Sequence, residues 1–107
     1  MNADEFVALF RAEKDALLEM YLHPDGRSTT KVGMAIAAMN LAADQVQLMR
    51  EVVDGVLTDA FYTILMGLDG EASLGGQQRQ YRVHDDDGPI GEPGDIETAA
   101  YEQFQES

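Results

Sequence analysis

Apolar residues recur along the first two-thirds of this chain at the three- and four-residue spacing of helices. In "NADEFVALFRAEKDALLEMYL", Phe6, Leu9, Phe10, Leu17, Met20 and Tyr21 fall near one face, while Asp4, Arg11, Lys14 and Asp15 lie mostly elsewhere. Asn2 followed by Glu5 has the spacing of a capping box, in which two side chains satisfy each other's backbone N–H groups. "HPDG" then supplies a stop, because Pro24 disfavours helical geometry at His23 and Asp25-Gly26 favours a turn. These signals predict a first helix over about residues 3–22.

A second helix, over about 29–40, begins after Ser28, Thr29 or Thr30 as its cap. Its side chains are small (Gly33, Ala35, Ala37, Ala38), so a neighbouring element can approach closely. Gly33 is tolerable there only if another group fills the space it leaves. The pattern leaves open whether the chain bends at Asn40 or continues. The longest signal follows, over about 42–66. Leu41, Leu48, Val52, Val56, Ala60 and Ile64 form one apolar row, and Met49, Val53, Leu57, Phe61 and Leu65 form the adjacent one. Together they make a stripe wide enough for two partners. Gly67 is the expected left-handed cap.

Beyond the third helix the period changes. "GLDGEASLGG", with four glycines, reads as irregular structure, either a connector or a binding loop. In "QQRQYRVH", Tyr81 and Val83 alternate with polar residues, which predicts a short strand with one buried face. "DDDGP" reads as a turn with Asp-Gly at its apex, and "PIGE" as the return strand, giving a hairpin over about 77–92. A closing helix over about 95–106 is expected, with Asp95 as its cap and Ile96, Ala100 and Phe104 facing inward. The predicted fold is mainly α (α+β): a single domain of three antiparallel helices, an appended β-hairpin and a short C-terminal helix.

Charge changes this picture most. Twenty acids against seven bases give a net charge of −13. Residues 1–68 carry ten acids and five bases, and residues 69–107 carry ten acids and two bases. Such a field repels phosphate backbones, which argues against nucleic-acid and anionic-membrane partners, and it attracts basic protein surfaces. The chain has no cysteine, and "MNADEF" lacks the basic and apolar segments of a secretion signal. The longest nearly apolar run, residues 32–43, is far shorter than the roughly 20 residues a bilayer span needs. A cytoplasmic chain is the expectation.

The stretch "VHDDDGPIGEPG" resembles part of a calcium loop. With Gly88 at position 6, Asp85, Asp87 and Ile90 fall at positions 3, 5 and 8. Val83 then stands at position 1 and Gly94 at position 12, so the first ligand and the bidentate acid are both missing. The stretch therefore reads as an acidic hairpin turn, with a weaker cation site of other geometry as the alternative. His23 lies four residues after Glu19 but lacks the third ligand of a zinc site, and both it and His84, beside the aspartates, read as polar residues at element boundaries. No nucleophile elbow, His-Glu-x-x-His or phosphate-binding glycine loop occurs, so no catalytic, cofactor or metal residue is expected.

The leading functional expectation is a non-enzymatic acidic interaction module, in its most specific form an immunity-type or inhibitory protein for a basic bacterial partner. Its expected contact residues are Glu71, Asp85, Asp86, Asp87, Glu92 and Asp95, with Asp59 and Tyr62 from "TDAFYT" on the flank of the third helix. Two alternatives stand beside it. One is a self-associating helical protein, motivated by the width of the third helix's stripe. The other is a weak metal-binding protein or enzyme.

Overall fold

The computed structural model describes residues 1–23 and 28–106, so the turn expected at Pro24, Asp25 and Gly26 lies outside the described residues. The described residues form four helices: α1 (Ala3–Tyr21), α2 (Lys31–Ala38), α3 (Ala43–Leu68) and α4 (Asp95–Phe104). A two-stranded antiparallel hairpin, β1 (His84–Asp85) with β2 (Gly88–Pro89), lies between α3 and α4. The chain is thus mainly helical, with a small appended hairpin and a C-terminal helix. It forms two compact units, Met1–Ala12 with Thr58–Ser107, and Glu13–Leu57.

Local chemistry sets most helix ends. The Glu5 N–H donates to Asn2 Oδ1 at 2.8 Å and the Asn2 N–H donates to Glu5 Oε1 at 3.0 Å, completing the capping box of α1. Thr30 caps α2, its Oγ1 accepting the Gly33 N–H at 2.9 Å. Ser28 fills the space beside Gly33: a Cβ there would lie 1.9 Å from Ser28 Oγ. Asn40, with φ +51, separates α2 from α3, which settles the break. Gln45 Oε1 then accepts the Ala42 N–H at 2.8 Å, capping the start of α3.

Helix α3 ends three residues later than Gly67 would dictate. Gly67 remains helical and buried because Leu74 packs onto its Cα, where a Cβ would lie 2.4 Å from Leu74 Cγ. Gly70, at φ +78, is the left-handed residue instead. Its N–H donates to the Gly67 carbonyl and the Glu71 N–H to the Met66 carbonyl, the paired bonds of a Schellman motif. The glycine-rich stretch is accordingly more ordered than its composition implies. Leu74 and Gln77 exchange backbone hydrogen bonds across Gly75 and Gly76, whose φ values of +60 and +81 suit a tight two-residue turn.

In the unit of Met1–Ala12 with Thr58–Ser107, the core joins Ala3 and Val7 of α1, Leu65 of α3, and Ile96, Ala99, Ala100 and Phe104 of α4. Val7 and Leu65 are completely buried. Phe10 bridges Phe6 and Phe61 edge to face, with ring centroids 5.3 and 5.8 Å apart, a geometry the ring quadrupoles favour. Val83 packs against this core, and its carbonyl accepts the Ile90 N–H. Tyr81 is exposed, so regular strand pairing begins only at His84. Asp85 pairs with Gly88, which puts Asp86 and Asp87 at the turn's apex rather than Asp-Gly. Gly88 absorbs the strain at φ +119.

The unit Glu13–Leu57 is built differently. Among its described residues only Leu18, Leu22 and Gly33 are buried. Lys14 meets Asp54 at 3.0 Å and Arg50 meets Glu19 at 3.2 Å, tying α1 to α3 by ion pairs. Eight large apolar side chains are exposed: Met20, Val32, Met34, Met39, Val46, Leu48, Val52 and Val56. Leu9 and Met20, expected on the buried face of α1, are both exposed. That face is centred instead on Ala3, Val7, Leu18 and Leu22, about a quarter turn away.

The two rows of α3 part company. Val53, Leu57 and Phe61 are half-buried and Leu65 fully buried, whereas Leu48, Val52, Val56 and Ile64 are exposed. Gly55 lies in this exposed region of the helix, and a Cβ on it would meet nothing within 4 Å. A glycine in a helix interior costs about 1 kcal/mol relative to alanine, and nothing in the chain offsets that at Gly55.

Candidate functional site

Helix α4 begins at a cap with no side chain. Gly94 takes φ +95 and is the N-cap, while Asp95 is the first helical residue. The Asp95 carboxylate turns back to accept the Glu92 N–H at 2.8 Å, so it does not have the capping role its sequence position suggests. That role falls to a residue 28 positions from the amide it caps. Asp69, buried just after α3, accepts the Glu97 N–H on its Oδ2 at 2.8 Å. A carboxylate is well matched to this position, because the first helical N–H groups lack partners and carry the positive end of the helix dipole.

The same arrangement crowds carboxylates. Glu97 has its pKa raised, first by desolvation and then by the nearby charges of Glu71 and Asp69. From there the outer face of α4 continues acidic and aromatic. Glu97 and Tyr101 are four residues apart, as are Thr98, Glu102 and Glu106, so both sets line up on the helix. Tyr62 of α3 closes one side. The result is a hollow of about 360 Å³ lined by Tyr62, Glu97, Thr98, Tyr101, Glu102 and Glu106. On the other flank of α4, Asn2, Asp4, Asp95 and Glu102 line a second hollow of about 360 Å³.

Two phenol rings beside three carboxylates suit a cation. An aromatic face attracts an ammonium or guanidinium, and carboxylates give it charge-assisted hydrogen bonds. Among the described residues no group of three His, Asp or Glu side chains is placed to hold a metal ion. A third cleft, of about 350 Å³, lies between the hairpin and α4 and is lined in part by Tyr81, Arg82, His84 and Ile96. Arg82 makes it a poorer place for a cation, with its guanidinium donating to the Tyr81 carbonyl at 3.2 Å.

The residues expected from the sequence fall into several places. Tyr62 lies in the α4 hollow and Glu71 beside its acidic end. Asp95 lines the second hollow, while Glu92 is exposed and is bound to Asp95 through its backbone. Asp85 is engaged internally: its Oδ2 accepts from the Met1 ammonium at 3.0 Å and its Oδ1 from the Asp87 N–H at 2.9 Å. The ammonium hydrogen bond holds the Asp85 carboxyl below its ordinary value, and the same bond raises the amine. Asp86 and Asp87 are exposed at the hairpin tip, and Asp59 is exposed on α3. The expectations missed Glu97, Tyr101, Glu102 and Glu106, although their four-residue spacing on a helix of acidic and aromatic residues was available as a signal. No known protein family, curated protein or solved structure matches this chain.

Proposed function

We propose that this chain is a non-enzymatic, acidic interaction protein that receives a basic side chain of a protein partner in the hollow on α4. In its most specific form it is an inhibitory or immunity-type protein for a basic bacterial partner. The observation that carries this reading is the convergence of Tyr62 and Tyr101 with Glu97, Glu102 and Glu106. The raised pKa of Glu97 supports it, since a carboxylate already crowded by Glu71 and Asp69 gains from an incoming positive charge. The net charge of −13 supports it too, by accelerating the encounter with a basic surface.

An NMR titration with a short arginine-rich peptide tests the reading. Amide shifts are expected to concentrate at residues 97–106 and at Tyr62, and to shrink between 20 and 300 mM salt, as surface charge attraction does near a Debye length of about 10 Å. Tyr101→Ala combined with Glu102→Gln is expected to remove most of the response. Shifts centred on the Asp86–Asp87 tip, or spread evenly over all acidic segments, would defeat the assignment to α4.

A further inference from the structure

Four of the chain's ten glycines follow an aspartate: Asp25-Gly26, Asp54-Gly55, Asp69-Gly70 and Asp87-Gly88. Each such pair carries a latent reaction. The glycine nitrogen can close a five-membered ring on the aspartate side-chain carbon, and glycine has no side chain to block the approach. The fold decides which pairs react, because the carboxyl and the nitrogen must both be able to turn toward each other. Asp25-Gly26 lies outside the described residues.

Two of the pairs are locked. Asp54-Gly55 lies inside α3, where the glycine N–H belongs to the helical ladder, and the Asp54 carboxylate meets Lys14 at 3.0 Å. Asp69 is buried with its carboxylate on the Glu97 N–H, and the Gly70 N–H donates to the Gly67 carbonyl at 3.1 Å. Asp87-Gly88 is held far less. Asp87 is exposed, and no described residue holds its carboxylate in a hydrogen bond or ion pair. Open space surrounds Gly88, where a Cβ would meet nothing within 4 Å. Gly88 pairs with Asp85 at the end of a ladder only two residues long, and so small a ribbon frays without the rest of the protein opening.

We infer that Asp87-Gly88 is a self-modification site at which the folded protein forms isoaspartate. The Gly88 nitrogen bonds to Asp87 Cγ, and its proton leaves with the side-chain hydroxyl as water. Water then adds to the Asp87 main-chain carbonyl carbon and breaks that carbon's bond to the Gly88 nitrogen. The chain now runs through Cβ and Cγ, and the former main-chain carbonyl is a free carboxylate. One water leaves and one enters, so mass and charge are unchanged and no co-reactant is needed. The extra backbone carbon falls in the two-residue turn between Asp85 and Gly88, so their register is lost. The hollow on α4 is built from other residues and stays intact, which makes the two readings independent.

The full chain, incubated for weeks at 37 °C and pH 6 in native buffer and in 6 M guanidinium chloride, provides the test. Electron-transfer fragmentation of its peptides separates isoaspartate from aspartate at each position. Methyl transfer from S-adenosylmethionine by an isoaspartyl methyltransferase gives the total. In denaturant, Asp54, Asp69 and Asp87 should react at similar rates. In the native chain Asp87 should keep at least about a tenth of its unfolded rate, while Asp54 and Asp69 slow by more than about a hundredfold, because they wait for larger openings. Asp87→Glu, which needs a six-membered ring, should remove most of the signal at that position and leave the far-UV circular dichroism unchanged. Protection of Asp87 as strong as that of Asp54 and Asp69 would overturn the inference. So would native-state modification concentrated at Asp69.

Discussion

Replacing Asp69 by alanine should destabilise the protein through a helix that Asp69 does not belong to. Asp69 is 8% exposed, and its carboxylate accepts the Glu97 N–H at 2.8 Å, at the start of a helix whose own N-cap is a glycine. Loss of an N-cap acceptor costs about 1 kcal/mol, within a range of roughly 0.5–2. Loss of a negative charge at a helix N-terminus adds about 0.3–1 kcal/mol. Relief of repulsion with the exposed Glu71 and the half-buried Glu97 returns a few tenths, since charges open to solvent on one side interact by only about 0–1 kcal/mol. The balance is about 1–1.5 kcal/mol, or roughly 5–10 °C in Tm for a chain of this size. Asp69→Asn keeps an oxygen acceptor and drops the charge, so it should lose less than half as much. Thermal and urea unfolding followed by circular dichroism measure the totals, and hydrogen exchange at the Glu97 amide measures the local effect. An Asp69→Ala protein within about 0.3 kcal/mol of the parent would refute this account of the cap. So would an Asn variant as damaged as the Ala variant.

Gly67→Ala should cost about 1–3 kcal/mol by driving its methyl into Leu74, and Gly67→Ala with Leu74→Ala should recover part of the loss in urea unfolding. Gly55→Ala should do the opposite, adding about 0.5–1 kcal/mol at low micromolar concentration, where open space receives the methyl. Leu65→Ala should lose about 2–5 kcal/mol, because Leu65 is completely buried in the core. For Glu97 the fold favours the protonated form, so its contribution to stability is present below the unfolded carboxyl pKa and fades as pH rises through the higher folded value. Glu97→Gln should therefore raise Tm at pH 7, with the gap closing by about pH 4, where the parent carboxyl is itself protonated. Melting curves across that range check the sign.

Features decided by a few neighbouring residues were legible in the sequence. The reciprocal Asn2–Glu5 cap and a hydroxyl cap before α2 both depend on contacts within three or four positions. Features decided by distant residues were hidden. Asp69 reads as part of a glycine-rich turn until α4 is placed beside it, and Gly67 reads as a helix stop until Leu74 folds onto it. Periodicity also fixed how wide the α3 stripe is without saying which half the rest of the chain covers. Val53, Leu57, Phe61 and Leu65 found cover and Leu48, Val52 and Val56 did not, a choice made by the other elements rather than by α3. At the candidate site, the excess of acids after residue 68 was visible, but the meeting of Tyr62 with Tyr101 required the tertiary fold.

Ten residues is a short helix. Isolated helices below about 12–15 residues barely form in water, because nucleation fixes several residues for a single bond. Helix α4 is therefore not a pre-existing rod that docks on the core. Its helical form depends on the core that Ile96, Ala99 and Ala100 share with Val7 and Leu65. A peptide covering residues 95–106 should be a coil in solution, and its carboxylates would then be spread along a flexible strand instead of ranked around Tyr101. Display of the acidic face is in this sense a readout of the folded state: any opening that frees α4 dismantles the hollow at the same moment.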